Sequence, residues 1–280
     1  MGRAGPKLMP LTHINGNDLF YLEAGSGPPC LVMHGGLGVD HTYLHPWLDP
    51  LGDVLRLVYY DHRGNGRSGR PPLETLTFAQ FCDDADALRE HLGVEKVAVM
   101  GHSYGGFIAL EYALRYPDRL SRLVLIDTAP AFKNADEVFA NAERKGTNEM
   151  MDVLRAPNPD EDAELVRMMR VIAPLYFYRF DEALSDRLLA HTVVSASASV
   201  RGEELLAEYD VTSRLGEIRT PALILVGRDD FICPPSQAAI MHEGIPGSEL
   251  VVFEESGHFP WVEQPDAFFA AVRGWLRRTA

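Results

Sequence analysis

Residues 96–116, KVAVMGHSYGGFIALEYALRY, set a short apolar run, Lys96–Met100, against a stretch with helical spacing. Only Gly101-His102-Ser103-Tyr104-Gly105 joins them. The run reads as a buried strand, and Tyr104–Tyr116 reads as a helix stopped by Pro117. A GxSxG match alone says little, since composition produces one by chance in roughly a tenth of chains this long. Between a strand and a helix it says more. The turn there is so sharp that side chains two before and two after the serine would strike neighbouring backbone. Gly101 and Gly105 remove those side chains. Ser103 then stands strained at the apex, with the helix N-terminus behind it.

Outward from this turn the pattern repeats. Asp18–Ala24, Cys30–Met33 and Leu55–Tyr60 read as strands, and Leu120–Ile126, Pro221–Val226 and Glu249–Phe253 follow. Thr77 and Gln80 form a capping box before apolar residues at helical spacing, from Phe78 to Leu92, and Gly93 ends that helix. Further helices are expected near Ser236–Glu243 and over Pro265–Arg277. Strands alternating with helices imply right-handed crossovers and a mostly parallel sheet.

Residues 129–215 break the alternation. They are rich in Met, Ala, Glu and Arg, carry no clear strand, and read as helical over Glu161–Ile172 and Asp181–Ser195. Such an insertion is expected to lie as a lid over the carboxyl edge of the sheet, where open α/β sheets bind ligands. The expected organisation is therefore a core of residues 1–128 and 216–280 with a helical cap at 129–215.

A serine hydroxyl needs a base to become a nucleophile. Of ten histidines, His258 stands in a loop just past the strand Glu249–Phe253, within reach of Ser103. His34 and His102 sit inside tight glycine turns and read as scaffold, while His13, His191 and His242 have no such setting. The imidazole needs a carboxylate to fix its tautomer. Asp229 and Asp230 both follow the strand Pro221–Val226, and Asp127 ends the strand Leu120–Ile126; Asp230 is favoured. An oxyanion also needs backbone N–H donors. Gly36, with Gly35 competing, and Tyr104, directly after the serine, are the candidates. The glycine run at 34–38 lacks both the GxGxxG form and the lysine of a phosphate-binding loop.

Bulk properties narrow the classes. The 280 residues include 26 basic and 40 acidic ones, a net charge of −14. That charge disfavours nucleic acid and anionic lipid as partners, which leaves a small-molecule substrate; oligomeric state stays open. Cys30, Cys82 and Cys233 are odd in number and form no metal pattern, so free thiols are expected. No metal or organic cofactor is expected. The first residues hold no signal-peptide stretch, Pro6 breaks a myristoylation pattern, and no run approaches a membrane span, so a cytoplasmic location is expected.

Taken together, HGG at 34–36, DHRGNGRS at 61–68, GHSYGG at 101–106, GRDDFICPP at 227–235 and SGHFPWVEQP at 256–265 resemble the α/β-hydrolase superfamily over nearly the whole chain. The resemblance implies an eight-stranded, mostly parallel sheet flanked by helices, with a helical cap after the sixth strand. It carries triad roles onto Ser103, Asp230 and His258. The family's acid is the third residue after the glycine, which supports Asp230 over Asp229. His62, Arg63, Gly64, Gly66 and Ser68 then look like a structural loop, and Pro234 and Trp261 like scaffold. A serine nucleophile argues against dehalogenases and epoxide hydrolases. Esterases, lactonases, C–C bond hydrolases and prolyl aminopeptidases remain, and the last usually show HGGPG where this chain has Leu37.

Three functions follow. The first is cleavage of an ester or lactone of a small, largely apolar substrate, with Met150, Met151, Met168, Met169, Tyr176, Phe177, Tyr178 and Phe180 as pocket lining or as packing of the cap. The second is a prolyl aminopeptidase, with Asp136, Glu137, Asp181 and Glu204 as candidates for holding a substrate amine. The third is a non-catalytic receptor on the same fold; such receptors often lose a triad member, and none is missing here.

Overall fold

The computed structural model describes residues 11–279, so the readings of the extreme N-terminus lie outside it. Eight strands form one sheet: β1 (Leu11–Ile14), β2 (Asn17–Gly25), β3 (Pro29–Met33), β4 (Arg56–Tyr60), β5 (Val97–His102), β6 (Leu120–Ile126), β7 (Ala222–Gly227) and β8 (Glu249–Phe253). Their order is β1-β2-β4-β3-β5-β6-β7-β8. The pairs β1–β2 and β2–β4 are antiparallel and the rest parallel. This is the expected eight-stranded, mostly parallel sheet.

The central strands are largely apolar because both faces are covered, and β3 and β7 are apolar throughout. In β3, Leu31 and Met33 join one core with α1 (Phe78–His91) and α2 (Tyr104–Arg115). Cys30 and Val32 point the other way, into a core shared with the chain around Leu44–Leu57 and the C-terminal helix. Half of the capping box is made: the Thr77 side chain accepts from the Gln80 N–H, while the Gln80 amide donates to Asp84. All three cysteines are unpaired and buried.

The first hairpin escaped the sequence reading. Asn15-Gly16 joins Ile14 to Asn17, with φ of 48° and 72°. Two residues at positive φ make the turn that best matches strand twist, and Asn-Gly is its usual sequence.

Between β6 and β7 lie five helices: α3 (Ala135–Glu143), α4 (Asn148–Arg155), α5 (Asp162–Ile172), α6 (Glu182–Leu189) and α7 (Ala196–Glu208). The two ends of this insertion meet in an antiparallel bridge, Ala131 against Asp210. The helix expected over Asp181–Ser195 is corrected here, because it stops at Leu189 and a second one begins at Ala196. Thr192, Val193 and Val194 are β-branched, and the N–H groups of Val193 and Ser195 bond outward to Asp40 and to the Gly38 carbonyl. After β7 come α8 (Pro235–Gly244), then α9 (Pro260–Glu263) and α10 (Pro265–Arg278). Among the described residues no helix is long and apolar enough to cross a membrane.

Candidate active site

The turn between β5 and α2 has the shape its glycines require. A side chain on Gly101 would come within 2.4 Å of the Gly105 carbonyl oxygen, and one on Gly105 within 2.1 Å of the Met33 carbonyl oxygen. Ser103 sits between them at φ 53° and ψ −121°, outside the helical region, and caps α2. Its N–H donates to the Ile126 carbonyl at 3.0 Å, and its carbonyl accepts from the Thr128 hydroxyl and the Gly106 N–H, each at 2.8 Å.

Asp230 and His258 meet as a buried pair, His258 Nδ1 lying 2.8 Å from Asp230 Oδ2. The other Asp230 oxygen accepts the N–H groups of Ile232 and Cys233 at 3.0 and 3.1 Å. Burial alone would raise the Asp230 pKa; the charge of His258, its hydrogen bond and these N–H groups outweigh it and hold the carboxyl below its ordinary value. Asp229 turns elsewhere. Its Oδ2 is 2.5 Å from Lys145 Nζ, which also donates to the carbonyls of Leu175 and Phe177. Asp127 is fully buried beside Asp230.

Ser103 and His258 border one cavity of about 510 Å3, with no direct hydrogen bond between them. Unliganded sites often hold such pairs long. The walls are mostly apolar side chains from the insertion: Leu165, Met168, Met169, Ile172, Tyr176 and Phe177 among them. Four of the eight apolar candidates from the sequence line the cavity. Met151 instead packs a small core with Val138 and Leu175, and Met150 lies against it. Tyr178 and Phe180 are exposed. None of Asp136, Glu137, Asp181 and Glu204 reaches the cavity. Glu137 accepts from Ser236, Asp181 caps α6, and Glu204 pairs with Arg201. Among the described residues the one acidic side chain on the cavity wall is Glu203, on α7.

The glycine loop after β3 closes the site. Gly35 N–H donates to the Tyr43 hydroxyl at 2.5 Å, so that donor is occupied. The Tyr43 hydroxyl lies 2.8 Å from His102 Nδ1, and His102 Nε2 lies 3.0 Å from the His258 carbonyl. A carbonyl can only accept, so Nε2 carries the proton of His102 and Tyr43 donates to Nδ1. Likewise His34 Nε2 accepts the His62 N–H at 3.1 Å. Both histidines therefore act as scaffold, as their glycine-turn setting suggested. Asn65 accepts the Gly38 N–H at 2.6 Å, which ties the 62–68 loop to the glycine loop.

Sequence reasoning missed Tyr43, Asn65, Lys145, Glu203 and Glu263. Glu263 accepts from Gly257 at 2.7 Å and from Tyr178 at 2.8 Å, binding the His258 loop to the insertion. Each is placed by how its loop or helix packs against the rest, and no local pattern announces that.

Two sets of buried donors fall within metal-ligand range: Asp40, His41 and Asp61, and Asp127, Asp230 and His258. In the first, Arg67 already supplies a cation 2.5 Å from Asp40, and His41 bonds Asp61 at 2.6 Å. The second contains the acid–imidazole pair itself. A hydroxyl at a strained apex beside an imidazole held by a buried carboxylate has the parts for acyl transfer.

A family model described as the alpha/beta hydrolase fold matches residues 28–265. The chain is 30% identical to the proline iminopeptidase PfmaB of Pestalotiopsis fici, covering 97% of this chain and 100% of that one. Among solved structures, a thermophilic esterase from Thermogutta terrifontis aligns with a TM-score of 0.75 at 29% identity, over 96% of this chain and 97% of that one. An esterase from Exiguobacterium antarcticum aligns with a TM-score of 0.77 at 25% identity, over 95% and 98%.

Proposed function

The chain belongs to the α/β-hydrolase fold family, and within it we propose a serine hydrolase that cleaves a carboxylic ester or lactone of a small, largely apolar substrate through an acyl-enzyme on Ser103. The observation that carries this reading is the buried Asp230–His258 pair, 2.8 Å apart, whose His258 stands on the wall of the same apolar cavity as Ser103.

His258 takes the Ser103 proton as the hydroxyl attacks the carbonyl, and Asp230 holds the imidazole and its positive charge. The N–H of Gly36 and that of Tyr104, at the start of α2, receive the oxyanion; the bond from Gly35 to Tyr43 supports Gly36 over its neighbour. Each donor is worth about 3–4 kcal/mol. His258 returns the proton to the leaving group, and water then releases the acyl group by the same route. This chemistry requires no metal or organic cofactor. Residues 129–215 serve as the cap over a core of 1–128 and 216–280, and the cavity beneath selects the acyl group.

A second reading, an aminopeptidase acting at N-terminal proline, draws on Glu203 at the cavity and on the likeness to a proline iminopeptidase. Leu37 in place of that group's proline weighs against it. A panel of short p-nitrophenyl esters run beside proline-β-naphthylamide separates the two. Ester turnover that Ser103→Ala abolishes is expected. Turnover of the naphthylamide alone, lost in Glu203→Gln, would transfer the assignment to the peptidase. Equal ester turnover by Ser103→Ala would end both readings.

A further inference from the structure

Asp127 stands at the end of β6, and nothing above gives it work. It is completely buried, yet its backbone has φ of 45°, a conformation that non-glycine residues rarely hold. Its N–H donates to the Leu225 carbonyl at 2.9 Å, and its Oδ1 accepts the Gly227 N–H at 2.8 Å. Its Oδ2 is buried and receives no N–H or O–H. One oxygen each from Asp127 and Asp230 and a ring nitrogen of His258 lie within 4.8 Å of one another.

Two carboxyl groups this close in a dry pocket cannot both be charged. The charge settles where donors are. Asp230 receives three N–H groups, from Ile232, Cys233 and the His258 ring. Asp127 receives one, from Gly227. The groups facing Asp127 are Asp230 and Cys233 from the loop after β7, His258 from the loop after β8, and Glu263 from α9. Of these only His258 can carry positive charge, and its Nδ1 is committed to Asp230.

Resting on the serine-hydrolase reading, we propose that Asp127 is a neutral carboxylic acid whose Oδ2–H donates to the Asp230 carboxylate, a positioning residue that orients Asp230 and tempers the basicity of the Asp230–His258 pair. Burial first, and the neighbouring Asp230 charge second, push the Asp127 carboxyl well above its ordinary range. The proton stays on Asp127 throughout the reaction. By drawing electron density from Asp230 it weakens that carboxylate's hold on the imidazolium. The bond also accounts for the single unsatisfied oxygen and for the strained backbone that aims it.

The test pairs spectroscopy with a pH profile. With carbon-13 in the aspartate side-chain carboxyls, NMR of the wild type is expected to show one carboxyl that stays protonated above neutral pH. That signal should be missing in Asp127→Asn. For ester turnover, Asp127→Ala is expected to move the acid limb of kcat/KM upward by about one pH unit, because the donor to Asp230 is gone. Asp127→Asn restores a donor and the acceptor for Gly227, and should rescue the wild-type limb. Equal limbs in the wild type and Asp127→Ala would overturn the proposal, as would a spectrum in which every aspartate titrates in the ordinary range. A loss of about ten-thousand-fold in Asp127→Asn would mean that Asp127 is itself the charged partner of His258. If Asp127→Asn fails to fold, the wild-type spectrum still decides the protonation state. That spectrum needs no catalysis, so the failure of Ser103 as nucleophile would leave its result intact.

Discussion

Gly105 decides where Ser103 can stand. A methyl group there would meet the Met33 and His34 carbonyls at 2.1 and 2.6 Å, so Gly105→Ala must push α2 away from β3. Backbone cannot swing aside as a side-chain tip can. The expected cost is about 3 kcal/mol or more, read from the urea midpoint; a midpoint within error of wild type would mean that the turn relaxes freely. Tyr43 works at the same scale by other means. Its hydroxyl takes the Gly35 N–H and gives its proton to His102, which in turn holds the His258 carbonyl. Tyr43→Phe leaves a buried N–H and a buried ring nitrogen unpaired. A loss of about 1–3 kcal/mol is expected, with kcat falling more than KM changes, since the apolar wall remains. Unchanged stability and kcat in this variant would dismiss the network. Ser103, Asp230 and His258 could be read from the sequence because each stands at a strand end marked by glycine. Tyr43 could not, since its loop has no period and its partner depends on how that loop folds back.

At the scale of elements, the insertion is bound to the histidine loop by few but specific bonds. His258 N–H donates to the Tyr176 carbonyl at 2.7 Å. One oxygen of Glu263 takes the N–H groups of Tyr178 and Arg179, and the other takes that of Gly257. A carboxylate suits this place because every partner is a donor. Glu263→Gln turns one oxygen into an NH2 group that faces an N–H. We expect a loss of about 1–3 kcal/mol and faster amide hydrogen exchange in 176–179 and 256–258. Exchange unchanged in those two segments would show that the strap does not depend on the carboxylate. The helical character of the insertion was legible in its composition, whereas its breaks were not. Residues 192–195 leave the helix because Asp40 and Gly38, far away in sequence, bind their N–H groups. The opening hairpin carried its signal openly in Asn15-Gly16, and only the shortness of β1 concealed it. The strands were plain because central strands covered on both faces are largely apolar.

Across the whole molecule, three histidines set the response to acid. His34, His62 and His102 are buried and stay neutral, burial holding each below the ordinary histidine value of 6.5. In the unfolded chain they bind protons as the pH falls through 6.5, and in the native state they do not. The unfolded state therefore binds more protons below that pH, and stability falls as pH falls. Asp61 and Asp230 act later. Their folded values lie below 3.8, so the stability they contribute is present above that pH and is lost only as pH drops through the lower folded values. Asp127, protonated in the folded chain and ionised in the unfolded one, offsets one of these protons, so just below pH 6 stability should decline with a net slope of up to two protons, about 3 kcal/mol per pH unit. Urea unfolding at a series of pH values measures the slope, and a slope below one proton just under pH 6 would contradict it. All three rings lie beneath the glycine loop and the Ser103 turn, so acid would dismantle the site together with the fold. The acid limb that reports His258 must therefore be read where circular dichroism shows the chain still folded. Asp127→Ala, by raising that limb, would draw it away from the histidine-driven loss.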